Sequence, residues 1–279
     1  MALNPYATVA ASSAAYSILL RSLIGNEQPS TRIRLCIKVI STLHSAATAL
    51  IVLYALKPSR WTNEVALSTN PEAGQGNLDE SENPVIRGRS SLANALTAWE
   101  TGYLLYDTGA LIYETKQKRQ LNNHTAALAS LASSSPVLLA HHMLLAAALG
   151  YLQTYIAAGR ERGVWVIVAF LLMNASNPVL HIRYWIRQRR GRPSLIADII
   201  LMLTFAAFRF GTVGWVLKRY GDYHGLGPWQ AFLRLRRSCQ IGTAALVGVN
   251  GVWWLTLVRS IVRRALMDGR KRNSMLGSI

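Results

Sequence analysis

The sequence predicts an all-α polytopic membrane protein, with about seven transmembrane helices forming a bundle or barrel around a polar cavity. Three observations carry this reading. About half of the 279 residues are apolar and only 15% are charged. The charges cluster in short blocks between apolar runs of about 20 residues, the length an α-helix needs to cross roughly 30 Å of hydrocarbon. No stretch shows the period-two alternation of a half-buried strand. The net charge of +17 fits basic residues that flank spans and touch anionic head groups, so nucleic acid is not an expected partner. Cys36 and Cys239 sit near span ends and imply neither a disulfide framework nor a zinc site.

The spans are expected at about 6–24, 35–56, 92–113, 136–156, 163–182, 194–217 and 239–261. The first lacks the basic start of a signal peptide. The second carries His44. A polar loop follows, and its centre, NPEAGQGNLDESENP, has almost no apolar content and is expected to be disordered or loosely ordered. The third span carries Glu100 and Asp107, and the fourth carries the adjacent pair His141 and His142. A connection from Glu114 to Ser135 separates them. Pro178 is expected to kink or end the fifth span. Five arginines in the eleven residues from Arg183 to Pro193 follow it. The sixth span carries Asp198 and Arg209. The segment QAFLRLRRS reads as a short amphipathic piece in the membrane surface. The seventh carries Asn250 and leads into a basic tail. The organisation expected is 1–31 as an N-terminal helix and loop, 32–264 as the main domain, and 265–279 as a cytosolic tail. Lysine and arginine asymmetry between loops places the N-terminus in the lumen and the C-terminus in the cytosol.

At about 1.5 Å per residue, most of the intramembrane polar residues fall roughly 6–13 Å from the cytosolic span ends. Polar side chains in hydrocarbon are costly and face a bundle interior or a cavity. The sequence therefore places them in one layer that could line one pocket. Adjacent helical residues point about 100° apart, so His141 and His142 cannot reach the same spot. Arg209 is expected to pair with a carboxylate such as Glu100, or with a lipid phosphate. Asp198 reads as a solvated acid at a helix start. A His/Asp pair can act as a general base or carry an acyl group. Metal binding is not expected, because His124, His181 and His224 lie in or near loops and too few histidines remain.

His44, Gly102-Tyr-Leu-Leu-Tyr-Asp107, His141-His142, Asn177-Pro178-Val-Leu-His-Ile-Arg183-Tyr-Trp185 and Asn250-Gly-Val-Trp253-Trp254 lie in order on separate spans. This set resembles the TLC (TRAM–LAG1–CLN8) domain family from about residue 32 to 264, and looks closest to its small members. The resemblance implies helices around a lipid-accessible cavity, usually in the endoplasmic reticulum, and work on membrane lipids. It places His141, His142 and Asp107 as catalytic candidates. His44, Glu100, Tyr106, Asn174, Asn177, Arg209 and Asn250 become cavity candidates, and Arg183 and Arg187 head-group contacts. In ceramide synthases a His-Asp-x-x-Asp block follows on the next span. Here that span reads Met173-Asn-Ala-Ser-Asn177, a departure that argues against ceramide synthesis. The expected function is lipid homeostasis with no bound cofactor. The alternatives are an acyltransferase using fatty acyl-CoA and a non-enzymatic lipid transporter or cargo-sorting protein.

Overall fold

A computed structural model describes residues 4–25, 30–61 and 82–276, with the side chains of 265 and 267–276 outside the description. Most of the polar segment expected to be disordered or loosely ordered lies outside these residues, as do the side chains of the basic tail. The described regular structure is helical, with no strand. In order the helices are α1 (Pro5–Ile24), α2 (Ser30–Ala55), α3 (Pro84–Arg87), α4 (Ser91–Arg119), α5 (His124–Ser134) and α6 (Pro136–Ala157). They continue with α7 (Val164–Phe170), α8 (Asn177–Arg190), α9 (Leu195–Asp222), α10 (Pro228–Arg234) and α11 (Arg237–Leu276).

Six of these segments are long and apolar enough to cross a membrane: α1, α2, α6, α7 to α8, α9, and Arg237–Arg264 of α11. The expected third span, α4, is a 29-residue helix but falls short in hydropathy. Glu100, Asp107 and repeated Thr, Gly and Tyr residues dilute its apolar content. Large apolar side chains such as Leu50, Leu144, Ile196 and Ile241 are exposed, while His44, Gln153, Asp198, Arg209 and Asn250 are buried. That pattern suits hydrocarbon as the solvent, where polar groups must be satisfied internally.

Local chemistry sets the helix ends. The Asn4 side chain caps α1 by accepting from the Tyr6 and Ala7 amides, and Ser90 caps α4 through the Ala93 amide. The basic connection after the third span is mostly helix. α4 runs on to Arg119 and stops at Gln120, which takes the left-handed conformation at φ 52°. Asn123 then caps α5 through the Ala126 amide. The fifth span breaks earlier than expected. α7 gives way to a 3₁₀ turn over Leu171–Ser176, and Pro178 sits at the start of α8 rather than ending a helix. Proline suits that position because its missing N–H is unsatisfied there anyway.

The chain divides into two compact units, each described by itself. Unit 1 takes described residues 4–44, 53–61 and 84–168; unit 2 takes 45–52, 82–83 and 169–276. In unit 1, α4 packs against α1, α5 and α6. Leu20, Ile24, Ile33, Ile37, Ile40, Tyr103 and Tyr106 form its buried apolar core. In unit 2, α9 packs against the 3₁₀ turn, α8, α10 and α11.

Gly102 lets α1 approach α4. A β-carbon there would overlap the Val9 carbonyl oxygen and the Ser12 side chain, and Ser12 Oγ donates to the Trp99 carbonyl at 2.8 Å. Two turns on, a β-carbon at Gly109 would meet nothing within 4 Å. Alanine exceeds glycine in helix propensity by about 0.8–1.0 kcal/mol, while overpacking a close contact costs roughly 1–3 kcal/mol. Thermal unfolding in detergent is therefore expected to rise slightly for Gly109→Ala and to fall for Gly102→Ala. Equal midpoints for the two variants would remove the close-approach role of Gly102.

Candidate functional site

α4 presents three faces to its neighbours in unit 1. Glu100, Tyr103 and Asp107 repeat at three- and four-residue spacing and so share one stripe. Thr101, Leu104 and Thr108 lie on the side toward α6, and Gly102, Tyr106 and Gly109 on the side toward α1.

On the first stripe, Trp99, Tyr16, His44 and Glu100 form a chain of hydrogen bonds. The Trp99 Nε1–H donates to the Tyr16 hydroxyl at 3.0 Å. Indole can only donate, so the Tyr16 oxygen accepts and its own proton is free for His44 Nδ1, 2.8 Å away. His44 Nε2 then carries the ring proton and donates to Glu100 Oε2 at 3.0 Å. Tyr103 stacks on the His44 ring, with centroids 3.4 Å apart and planes at 11°. His44 and Glu100 are both buried.

Two turns along α4, roughly 10 Å, lies a second histidine–carboxylate pair. Thr108 Oγ1 donates to the Leu104 carbonyl at 2.8 Å, leaving a lone pair for His142 Nδ1 at 3.1 Å. A hydroxyl whose proton is committed can only accept, so Nδ1 carries a proton. His142 Nε2 faces Asp107 Oδ2 at 3.7 Å, beyond direct hydrogen-bond length. The imidazole nitrogen and the carboxylate face each other across that gap, close enough for an ion pair when the ring is protonated. His141, as the helical geometry requires, points elsewhere. It is half-buried, and its ring lies 6.0 Å from that of His142 at 71°.

A half-open cavity of about 550 Å³ lies between α1 and α4, lined by Ser17, Leu20, Arg21, Tyr106, Gly109 and Tyr113 among others. Of the predicted site residues only Tyr106 lines it; His142 and Asp107 do not. The Tyr106 hydroxyl is buried and has no hydrogen-bond partner among the described residues. His124, expected to lie in a loop, opens α5 and forms part of the rim.

The remaining candidates belong to unit 2. Among the described residues Arg209 pairs with no carboxylate, and Glu100 is taken by His44. Instead Arg209 donates to Ser176 Oγ at 3.3 Å, Asn250 Oδ1 at 3.3 Å and Asn177 Oδ1 at 3.0 Å. Asn174 accepts from Asn177 Nδ2 at 3.4 Å, because side chains three apart eclipse in a 3₁₀ turn. Asp198 is not solvated: it is 1% exposed and bridges Arg183 and Arg264. Arg187 is exposed on α8. His181, read as a near-loop residue, is buried within α8.

Sequence reasoning missed Tyr16, Trp99, Thr108 and Arg264. The i, i+4 step from Leu104 to Thr108 was visible; the partners of the other three lie on distant helices. Among the described residues no three His, Cys, Asp or Glu side chains gather as a metal-binding group.

Removing one partner of a buried charge pair costs about 3–5 kcal/mol. Arg183 and Arg264 keep about a quarter of their side chains exposed. Asp198→Ala is therefore expected near or below the low end of that range by denaturant or thermal unfolding, with Arg187→Ala neutral. In the other cluster, the combined loss for His44→Ala with Glu100→Ala is expected to be smaller than the sum of the single losses, by roughly 0.5–3 kcal/mol. Strict additivity would mean that the two side chains do not interact.

Residues 34–259 match the family model for the TLC domain, described as TRAM_LAG1_CLN8. No curated protein and no solved structure gives a significant match.

Proposed function

The chain belongs to the TLC-domain family, and from that premise we propose that it binds membrane lipid in the cavity between α1 and α4, as a multi-pass protein of lipid homeostasis in the endoplasmic reticulum. The observation that carries this reading is the cavity. Its volume of about 550 Å³ falls within the roughly 300–1,000 Å³ of small-ligand sites. Leu20 and Ile24 offer apolar wall for an acyl chain, and exposed Arg21 offers a cation for a polar head. The Tyr106 phenol waits for an acceptor such as a lipid carbonyl or hydroxyl. A buried hydroxyl left unpaired costs about 1–3 kcal/mol, so a ligand that pairs it gains affinity. The distribution of lysine and arginine among the loops supports a lumenal N-terminus and a cytosolic C-terminus. Arg21, near the end of α1, then lies on the cytosolic side.

A second reading is acyl transfer, and the His142–Asp107 pair favours it. His142 would take the proton of an attacking hydroxyl or amine, with Asp107 balancing the imidazolium charge. The acyl–sulfur bond of a fatty acyl-CoA would break, and the released thiolate would take up the proton.

Lipid that co-purifies with the protein separates these readings when measured by native mass spectrometry. Gly109→Phe, which projects a ring into open space on the cavity wall, is expected to cut bound lipid several-fold. Tyr106→Phe is expected to cut it less, and His142→Ala to retain it. Full occupancy in a folded Gly109→Phe protein would overturn the binding site. Acyl transfer from labelled acyl-CoA that is present in the wild type and lost in both His142→Ala and Asp107→Asn would establish the second reading.

A further inference from the structure

Arg209 lies midway along α9, about 20 Å from either end at 1.5 Å per residue, in a helix apolar enough to span a membrane. It is 9% exposed. A cation at that depth is costly unless something compensates its charge.

The groups around it compensate hydrogen bonds but not charge. Ser176 Oγ donates to the Met173 carbonyl at 3.0 Å, so it meets Arg209 Nε with a lone pair. Asn250 Nδ2 donates to the Leu246 carbonyl at 2.8 Å, which turns its Oδ1 toward Arg209 Nη1. Asn177 Nδ2 is engaged by Ser45 and Asn174, which turns its Oδ1 toward Arg209 Nη2. The Phe205 ring lies 5.2 Å from the guanidinium carbon. Among the described residues every contact is neutral, and the Ser176 hydroxyl, the Asn177 amide and one Asn250 N–H donate away from Arg209.

The described carboxylates of unit 2 are engaged or distant. Asp198 is held by Arg183 and Arg264, and lies eleven residues along α9, about 16 Å from Arg209. Asp222 pairs with Lys218, and Glu82 is exposed beside the loop. Guanidinium has five N–H donors. Three are used here, which leaves one on each terminal nitrogen. Two N–H groups on one planar cation match two oxygens of a carboxylate or phosphate.

We propose that the Arg209 cage, formed by Ser176, Asn177, Asn250 and Phe205, is a binding site for an oxyanion: a carboxylate or phosphate group. The anion completes the charge that the amide cage leaves uncompensated. The two asparagines fix the guanidinium plane so that little ordering remains to be done on binding. The site is built wholly within unit 2 and does not depend on the lipid cavity of unit 1.

The test uses full-length protein in lipid-stripped detergent micelles, with thermal unfolding as the readout. The probes are oleate, its uncharged methyl ester, phosphatidate and inorganic phosphate. Oleate or phosphatidate is expected to raise the wild-type midpoint by several degrees more than methyl oleate, which lacks the anion and can enter only the cavity of unit 1. A response to oleate alone assigns the site to a fatty carboxylate. A response to phosphatidate but not inorganic phosphate assigns it to a lipid head group, and equal responses to both assign it to a free oxyanion. Asn250→Asp supplies a carboxylate from within. It is expected to raise the unliganded midpoint and to weaken the response to the anion at least tenfold in apparent affinity. Arg209→Gln is expected to abolish the response, while Gly109→Phe and Arg187→Gln retain it. No wild-type response to any charged probe would overturn the proposal. An unchanged response in Asn250→Asp would overturn it too, even if Arg209→Gln failed to fold.

Discussion

The constraint on which unit 1 depends is that α4, its least apolar long helix, has no apolar face wide enough to present to lipid. Glu100, Asp107 and most of the threonines and tyrosines find partners inside the protein, because hydrocarbon supplies none; the buried Tyr106 hydroxyl does not. The three faces of α4 answer this in three ways. Toward α2, Glu100 is absorbed by His44, whose orientation is fixed by Tyr16 and, behind it, Trp99. Toward α6, Thr108 and Asp107 meet His142, and Thr101 meets Gln153. Toward α1, Gly102 removes the side chain altogether and lets backbone and Ser12 close the gap. Packing and polar satisfaction are the same problem here. Moving α1 away would expose Gly102 and also release the Tyr16 hydroxyl that orients His44.

Unit 2 manages its buried charge differently in two places on one face of α9. Near the start of the helix, the Asp198 carboxylate is shared by two arginines from α8 and α11. The pairing is charge on charge and leaves a net positive balance toward the membrane surface, where anionic head groups are plentiful. Eleven residues on, Arg209 meets amide and hydroxyl oxygens and the Phe205 ring, with no carboxylate among the described residues. The change of solution follows the change of depth. Near the surface an excess charge is screened by water and head groups, whereas mid-span every partner must be built into the fold.

The helices were legible because hydrophobic runs of span length leave few alternatives. Their connections were less so. The segment around His124 carried small and polar residues that read as a loop, yet Asn123 supplied an N-cap and the alanines after it favour helix. Pro178 reads as a kink or an end of the fifth span; it stands in the first turn of α8, just after the 3₁₀ break, a position that suits proline. Site residues were legible as types and illegible as pairs. An acid near a span end looks solvated when only its own helix is considered. Asp198 is buried because Arg264, 66 residues later, reaches back to it. Pairing Arg209 with Glu100 was the natural expectation from charge alone. It failed because His44, on yet another helix, claims that carboxylate, and no sequence periodicity reports such competition.

Tyr106 and Asp107 are neighbours in sequence, and their separation by about 100° around α4 has a functional consequence. One side chain enters the cavity that faces α1; the other turns toward His142 on α6. A molecule held against Tyr106 therefore lies on a different face of α4 from the histidine–carboxylate pair. The cavity and the histidine–carboxylate pair thus occupy separate faces of α4. For the pair to act on a bound lipid, the reacting atom must come round α4 to within hydrogen-bond reach of His142 Nε2. Of the adjacent histidines, His142 alone faces Asp107, while Tyr106 lines the cavity on the other side of the helix.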